Sequence, residues 1–323
     1  MCTAITYRTL DHYFGRNLDY EYSYGESVTI TPRNYVFHFR RLPPIETHYA
    51  IIGMAKVSNN YPLYFDATNE HGLSAAGLNF PVSAKYLPEI SEKDNITPYE
   101  LIPWLLGNCK SVAEATKKLQ QANLTNLPFS KELPLSPLHW ILADTTDAIT
   151  IEPTERGIEI HQNPIGVLTN EPPFPFHMMN LTNYMHVTSA ESYNRFSNVL
   201  QLNAYSRGMG SIGLPGDLSS ASRFVRAAFT KMNSVTKDAE SASISQVFHI
   251  LGSVAQTQGC VQVGRLYEKT IYTSCCNTTK GIYYYTTYEN SQITGIRLHG
   301  VDLDSSDLIT YPLITGQQIR MIN

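Results

Sequence analysis

Residues 1–20 read MCTAITYRTLDHYFGRNLDY, placing a cysteine directly behind the initiator methionine and GRNLD about a dozen residues later. Methionine aminopeptidases accept only a small second side chain, and cysteine qualifies. Removing Met1 leaves Cys2 with a free α-amine and a thiol on one residue, a nucleophile beside its own base. Taken alone, a cysteine is more often a small buried hydrophobe than a nucleophile, so the rest of the chain has to decide. The chemistry is self-consistent. An α-amine titrates near roughly 7.7–8.0 and a free thiol near about 8.5, so the amine can accept the thiol proton at neutral pH. Arg16 and Arg223 are the cations that would favour the thiolate if the fold brings them close. Asp19 would orient the amine by accepting a hydrogen bond from it.

Composition narrows the class. The 323 residues are 42% hydrophobic, enough for a sizeable core, and 16% charged, which argues against disorder. A formal net charge of -4 without clustered Lys or Arg leaves no footprint for nucleic acid. Charges interrupt the first twenty residues, so no secretory signal is visible, and no run approaches the roughly 18 apolar residues of a membrane span. The five cysteines are odd in number and lack C-x-x-C spacing, which supports neither a disulfide framework nor a zinc site. A reducing cytoplasm is the expected compartment.

Along the chain, CTAITYR, SVTITP, YVFHFR, YAIIGMAKV and PLYFDAT read as strands separated by Gly, Pro, Asn and Asp. A helical block comes next, from about 97 to 123, divided at NCKS. WILADTTDAITIEPT and GIEIHQN read as two strands around a Thr-Asp turn, with VLTN a shorter one. SASRFVRAAFTKMNSV and SISQVFHILGSVAQ form a helix pair opened by serine caps. TIYTSCCNTTKGIYYYTTYENSQITGIRLH supplies three more strands, the first two as a hairpin. Strands and helices come in blocks, so the expectation is one domain of sheets layered with helices rather than βαβ units.

Residues 208–213, GMGSIG, match G-x-G-x-x-G, but NAYSR before them is no buried strand and Pro215-Gly216 breaks the chain where a helix would have to open. A Gly-rich loop is the better reading. The ten histidines form no HExxH and no partner for a G-x-S-x-G serine. His139, beside Trp140, is placed to line a pocket, yet its spacing supplies no mechanism. Without a histidine base in view, activation of Cys2 by its own amine gains weight.

MCTAITY, FGRNLDYEYSYGESVTITPRNY, NEHGLSAAGLNFP, GVLTNEPPF, GLPGDLSSASRFVR and GIYYYTTYENSQI, in that order, together resemble the choloylglycine hydrolases. These are the bile salt hydrolases and penicillin V acylases within the N-terminal-nucleophile hydrolases. The resemblance implies an α+β fold, a four-layer αββα sandwich with two antiparallel sheets flanked by helices. It implies a homotetramer assembled through the loop around GMGSIGLPG, and hydrolysis without metal or cofactor. Carried over by position, Cys2 is nucleophile and, through its amine, base; Arg16 and Asp19 hold and polarise it. Asn79, through its backbone N–H, and Asn170, through its side-chain amide, stabilise the tetrahedral intermediate, and Arg223 completes the charged network. One departure is Glu171, where the family often has asparagine: it adds a carboxylate near the site.

The resemblance implies an amide between a steroid acid and glycine or taurine as substrate. Asn79 favours bile salts, since penicillin V acylases tend to have tyrosine there. Leu18, Tyr24, Phe65, Phe129 and Leu135 are apolar residues suited to a steroid face. Penicillin V or an N-acyl-homoserine lactone is the alternative substrate, and an inactive steroid-binding homologue the distant one.

Overall fold

The computed structural model describes residues 1–323. The first strands are β1 (Cys2–Arg8), β2 (His12–Tyr20), β3 (Ser27–Thr31), β4 (Ile51–Ser58), β5 (Tyr61–Asn69) and β6 (Ser74–Asn79). A small parallel pair, β7 (Asp94–Ile96) and β8 (Ala122–Leu124), brackets helices α1 (Leu101–Asn108) and α2 (Val112–Leu119). Then come β9 (Leu138–Ala143), β10 (Ala148–Thr154), β11 (Gly157–Gln162), β12 (Val167–Leu168) and α3 (Phe174–Asn180). Helices α4 (Ser220–Asn233) and α5 (Glu240–Gly252) precede β13 (Val261–Val263), β14 (Leu266–Asn277), β15 (Ile282–Thr287), β16 (Thr294–Arg297) and β17 (Ile309–Pro312).

Two antiparallel sheets result. One runs β12-β1-β2-β14-β15-β16, with β13 paired to β14; the other runs β11-β10-β9-β6-β5-β4-β3-β17. Period-two alternation sorts their side chains. Ile52, Ala76 and Ile141 face the first sheet and join its core with residues of α4 and α5. Their neighbours Ile51, Ala75 and Leu142 face the opposite way and pack with Leu101, Trp104 and Leu105 of α1. The order is therefore helix, sheet, sheet, helix, as the resemblance implied. No helix is long and apolar enough to cross a membrane.

Local chemistry explains the helix ends. Ser111 accepts from Glu114 N–H and opens α2, so NCKS does divide the helical block, which ends at Leu119. Ser219 caps α4 through Ser222 N–H. For α5 the expected serine cap is corrected: the helix starts at Glu240 behind Ala239, with no side-chain cap. YVFHFR is also corrected, contributing only one bridge, Phe37 to Ile45. WILADTTDAITIEPT divides at its Thr-Asp turn into β9 and β10, so with β11 there are three strands rather than two. GMGSIG is a loop that holds a single 3-10 turn, Met209–Ser211 behind Gly208 at φ 79°, and the next α-helix begins only at Ser220.

Helix α5 can lie against β2 because position 15 has no side chain. A Cβ on Gly15 would stand 2.5 Å from Ser274 O and 3.2 Å from Leu251 Cδ1. Gly15→Ala is therefore expected to lower stability by about 1–3 kcal/mol through overpacking. A denaturant midpoint indistinguishable from the parent would contradict this packing.

Candidate active site

The site begins with the register of β1 on β2. Cys2 pairs with Leu18, Ala4 with Arg16 and Thr3 with Asn17. Directly paired residues share a face, so Cys2, Leu18 and Arg16 point between the sheets while Thr3, Asn17 and Asp19 point toward the helices. Contacts agree: Asn17 Nδ2 donates to Leu251 O of α5, whereas Arg16 reaches into the second sheet.

Arg16 is fully buried. Its Nη2–H donates to Cys2 Sγ at 2.8 Å, and Nη1 donates to Phe65 O at 2.8 Å and Gly77 O at 2.9 Å. Both carbonyls are free because β5 and β6 stop pairing at Asp66–Ala76, and because Phe65 is the extra residue of a bulge against β4. A buried guanidinium needs compensation. Asp66, on β5, carries the countercharge, its carboxylate accepting from Tyr272 Oη (2.6 Å), Tyr283 Oη (2.7 Å) and Ser274 Oγ (3.1 Å). Burial pushes the Asp66 carboxyl up, and Arg16 pulls it back down.

Asp19 is buried too, with Oδ1 accepting from Thr270 Oγ1 at 2.6 Å and Oδ2 left without a partner. Burial raises its pKa, opposed by Arg223 and by the N-terminal ammonium. Met1 extends β1 by one ladder step: Asp19 N–H donates to Met1 O at 2.9 Å, and the Met1 ammonium donates to Asp19 O at 2.8 Å. The same ammonium meets Glu268 Oε1 at 2.7 Å. Acceptors thus surround the head of β1, which is what a protonatable amine requires.

Asn170 is oriented by three bonds. Its Oδ1 accepts from Cys2 N at 2.9 Å and from Arg223 Nη2 at 2.7 Å, so the NH₂ must face the other way, where it donates to Asn79 O at 2.7 Å. One of its two N–H bonds remains unspent. Phe80 N–H donates to Pro137 O, so the alternation of an antiparallel ladder turns the Asn79 N–H away from β9, toward the gap that holds Arg16. Arg223, fully buried on α4, also donates to Cys2 O and to Thr3 Oγ1 at 2.7 Å. Burial pulls its pKa down, and Asp19 counters that pull. The six expected positions, Cys2, Arg16, Asp19, Asn79, Asn170 and Arg223, therefore converge at one place.

The apolar set divides. Leu18 stands beside Cys2, and Phe65 supplies a carbonyl to Arg16 while its ring lies 5.5 Å from Tyr24. Phe129 packs instead on Tyr61 and Tyr99, in the core beneath α1. Leu135 is half-buried in the loop before β9. Sequence reasoning missed Asp66, Glu268, Thr270, Tyr272 and Tyr283. A lone aspartate inside the apolar strand YPLYFDATN was the one signal available. The Glu171 carboxylate is already spent on Val82 N, Ser83 N and Ser83 Oγ, tying the loop after Asn79 to that of Asn170. No group of three or more His, Cys, Asp or Glu side chains is placed to hold a metal ion.

Two antiparallel sheets between helices, with a thiol residue at the head of the first strand, define the N-terminal-nucleophile hydrolase fold. The sequence model for linear amide C–N hydrolases, choloylglycine hydrolase family, matches residues 2–311, and the chain belongs to that family. It is 54% identical to a bile salt hydrolase/transferase of Lactiplantibacillus plantarum, over all of both chains. The crystal structure of a C2A mutant conjugated bile acid hydrolase from Clostridium perfringens superposes with a TM-score of 0.93 at 38% identity, covering all of both chains. A penicillin V acylase from Agrobacterium tumefaciens shares the fold at 19% identity (TM-score 0.76, 97% of this chain and 92% of that one).

Arg16 is the cation in contact with the thiol, so its charge should govern thiol reactivity. Arg16→Gln is expected to slow iodoacetamide alkylation of Cys2 at pH 7 by roughly tenfold or more, since the thiolate is the reacting form. An unchanged alkylation rate would remove Arg16 from that role.

Proposed function

We propose that this chain is a conjugated bile salt hydrolase, cleaving the amide between a steroid bile acid and glycine or taurine after loss of Met1. The observation that carries this is the convergence of Cys2 Sγ, Arg16, Asn170 and Arg223 in a chain 54% identical, end to end, to a bile salt hydrolase/transferase. Cys2 Sγ attacks the amide carbon while the α-amine takes the thiol proton. The carbonyl oxygen becomes an oxyanion between Asn79 N–H and the free Nδ2–H of Asn170. The proton passes to the leaving nitrogen, glycine or taurine departs, and water then hydrolyses the thioester. Losing one oxyanion donor typically costs on the order of 10²–10³ in rate.

Asn170 Oδ1 and the partnerless Asp19 Oδ2 support the amine's role, as acceptors at the head of β1. The active protein is therefore expected to begin at Cys2, because a retained Met1 makes that nitrogen a non-basic amide. Intact-mass measurement of active enzyme finding Met1 fully retained would sink the mechanism. Cys2→Ser should fold normally and lose most activity, its hydroxyl being a far weaker nucleophile.

Leu18, paired with Cys2, and Phe65, whose carbonyl meets Arg16 and whose ring lies against Tyr24, support a steroid as the acyl group, as does Asn79 in place of tyrosine; Phe129 and Leu135 complete the proposed apolar set. At about 25 cal/mol per Å² of apolar burial, replacing a steroid by phenoxyacetyl costs several kcal/mol, or a few powers of ten in kcat/KM. Glycocholate and taurocholate should both be cleaved and penicillin V poorly. Comparable kcat/KM for penicillin V would move the substrate to the acylase branch, where N-acyl-homoserine lactones also belong, and leave the Cys2 chemistry standing. Hydrolysis abolished by Cys2→Ala would exclude an inactive steroid-binding protein. The exposed Met185, Phe196, Val199, Tyr205 and Ile212 support assembly into a homotetramer, to be measured by light scattering. Five free thiols suit a reducing cytoplasm.

A further inference from the structure

His139 belongs to no motif, yet it stands between the two segments that present the oxyanion donors. We propose that His139 and Glu152 are a positioning pair that fixes Asn79 and Asn170 relative to each other, an inference that rests on the function proposed above. The His139 ring lies 4.2 Å from the ring of Phe80, at 5°, and Phe80 is the residue after Asn79. Its Nε2 is 3.0 Å from Thr169 O, and Thr169 precedes Asn170. One imidazole therefore touches both donor segments.

The ring is held in turn. A carbonyl oxygen only accepts, so the Nε2 that meets Thr169 O carries a proton. Nδ1 faces Glu152 Oε1 at 3.1 Å, an oxygen that also accepts Phe174 N–H at 2.9 Å. Glu152, whose Oε2 also lies 3.4 Å from His161 Nε2, is thus the partner that holds the His139 ring. His139 and Glu152 are both buried, so no water can replace either partner. Torsion about the Cβ–Cγ bond of histidine is soft, and the bond to Glu152 is what stops the ring from turning off Thr169. The next carbonyl is treated alike: His177 Nε2 is 2.9 Å from Asn170 O, its ring 4.7 Å from that of Phe224. Asn170 N–H goes to Ser220 Oγ at 2.8 Å. Both peptides flanking Asn170 are thereby locked, and productive oxyanion geometry tolerates only about 0.5 Å of error.

The test compares Glu152→Ala with Glu152→Gln on glycocholate. Glutamine keeps, at the Oε1 position, the one oxygen that both Phe174 N–H and His139 Nδ1 meet, and puts its NH₂ at the Oε2 position beside His161. The alanine variant should lose about ten- to a hundredfold in kcat, less than loss of a donor itself, with KM within about threefold of the parent. Iodoacetamide alkylation of Cys2 displaces iodide at a saturated carbon and needs no oxyanion donor, so its rate should not change. Glutamine should recover kcat to within about threefold of the parent. If the alanine variant does not fold, the His139→Phe/Glu152→Gln double variant replaces it. That variant keeps the ring on Phe80, leaves no unpaired buried charge, and should lose kcat to the same degree. An unchanged kcat, a fall in alkylation that matches the fall in kcat, or a glutamine variant as poor as alanine would each overturn the pair's role. A parent enzyme that cleaves no conjugate would sink the proposed function and this inference together, whereas a fully active parent with unaffected variants would sink only the inference.

Discussion

The guanidinium of Arg16 occupies the place where two strands of the second sheet cease to pair, and the candidate active site is built around it. A buried cation survives only where acceptors surround it. Here they are two backbone carbonyls of β5 and β6, the thiol of Cys2, and the more distant charge of Asp66 with its three hydroxyl donors. The same side chain therefore joins the two sheets, satisfies the opened ladder and places positive charge at the Cys2 thiol. No ordinary apolar contact at this position would do all three.

A second cation works from the opposite face. Arg223, on a helix, holds the carbonyl of Cys2 and the amide oxygen of Asn170, while Arg16 holds the sulfur. The head of β1 thus lies between two buried arginines, one on each face of its sheet. Each has a buried carboxylate near it: Asp66 on the inter-sheet side and Asp19 on the helix side. Burial disfavours both carboxylate anions. The site carries charge at a cost to folding, and this is common where function and stability compete.

Much of this was legible in the sequence, but unevenly. The β-branched and apolar runs CTAITYR and YAIIGMAKV, bounded by turn residues, marked β1 and β4, and the serines before two apolar blocks marked helix starts at Ser111 and Ser219. Strand β2 did not show itself. Its His12, Arg16, Asn17 and Asp19 are buried on both faces, so the period-two contrast that marks a strand is absent. β6, with Ser74, Gly77 and Asn79, failed for the same reason. These strands carry the site, and local pattern fails where function overrides it. Cys2, Arg16, Asp19 and Arg223 were legible from the chemistry of a thiol behind the initiator methionine, whereas Asn79 and Asn170 were reached only through resemblance. Asp66, Tyr272 and Tyr283 lay out of reach because the contacts between them span more than 200 positions.

The two strand irregularities beside the site have a consequence for how the chain can vary. Phe65 is an extra residue in β5, and Ile271 an extra residue in β14, between Thr270 opposite Asp19 and Tyr272 opposite Leu18. Each shifts the count by one, which is what lets Thr270 serve the helix face while Tyr272 serves the inter-sheet face. Removing either residue would exchange inward and outward positions along the remainder of its strand. Length changes in homologous chains should therefore be accommodated in the exposed stretch from 185 to 215 and in the turns, while β2, β5 and the middle of β14 keep their residue count even where their residues differ.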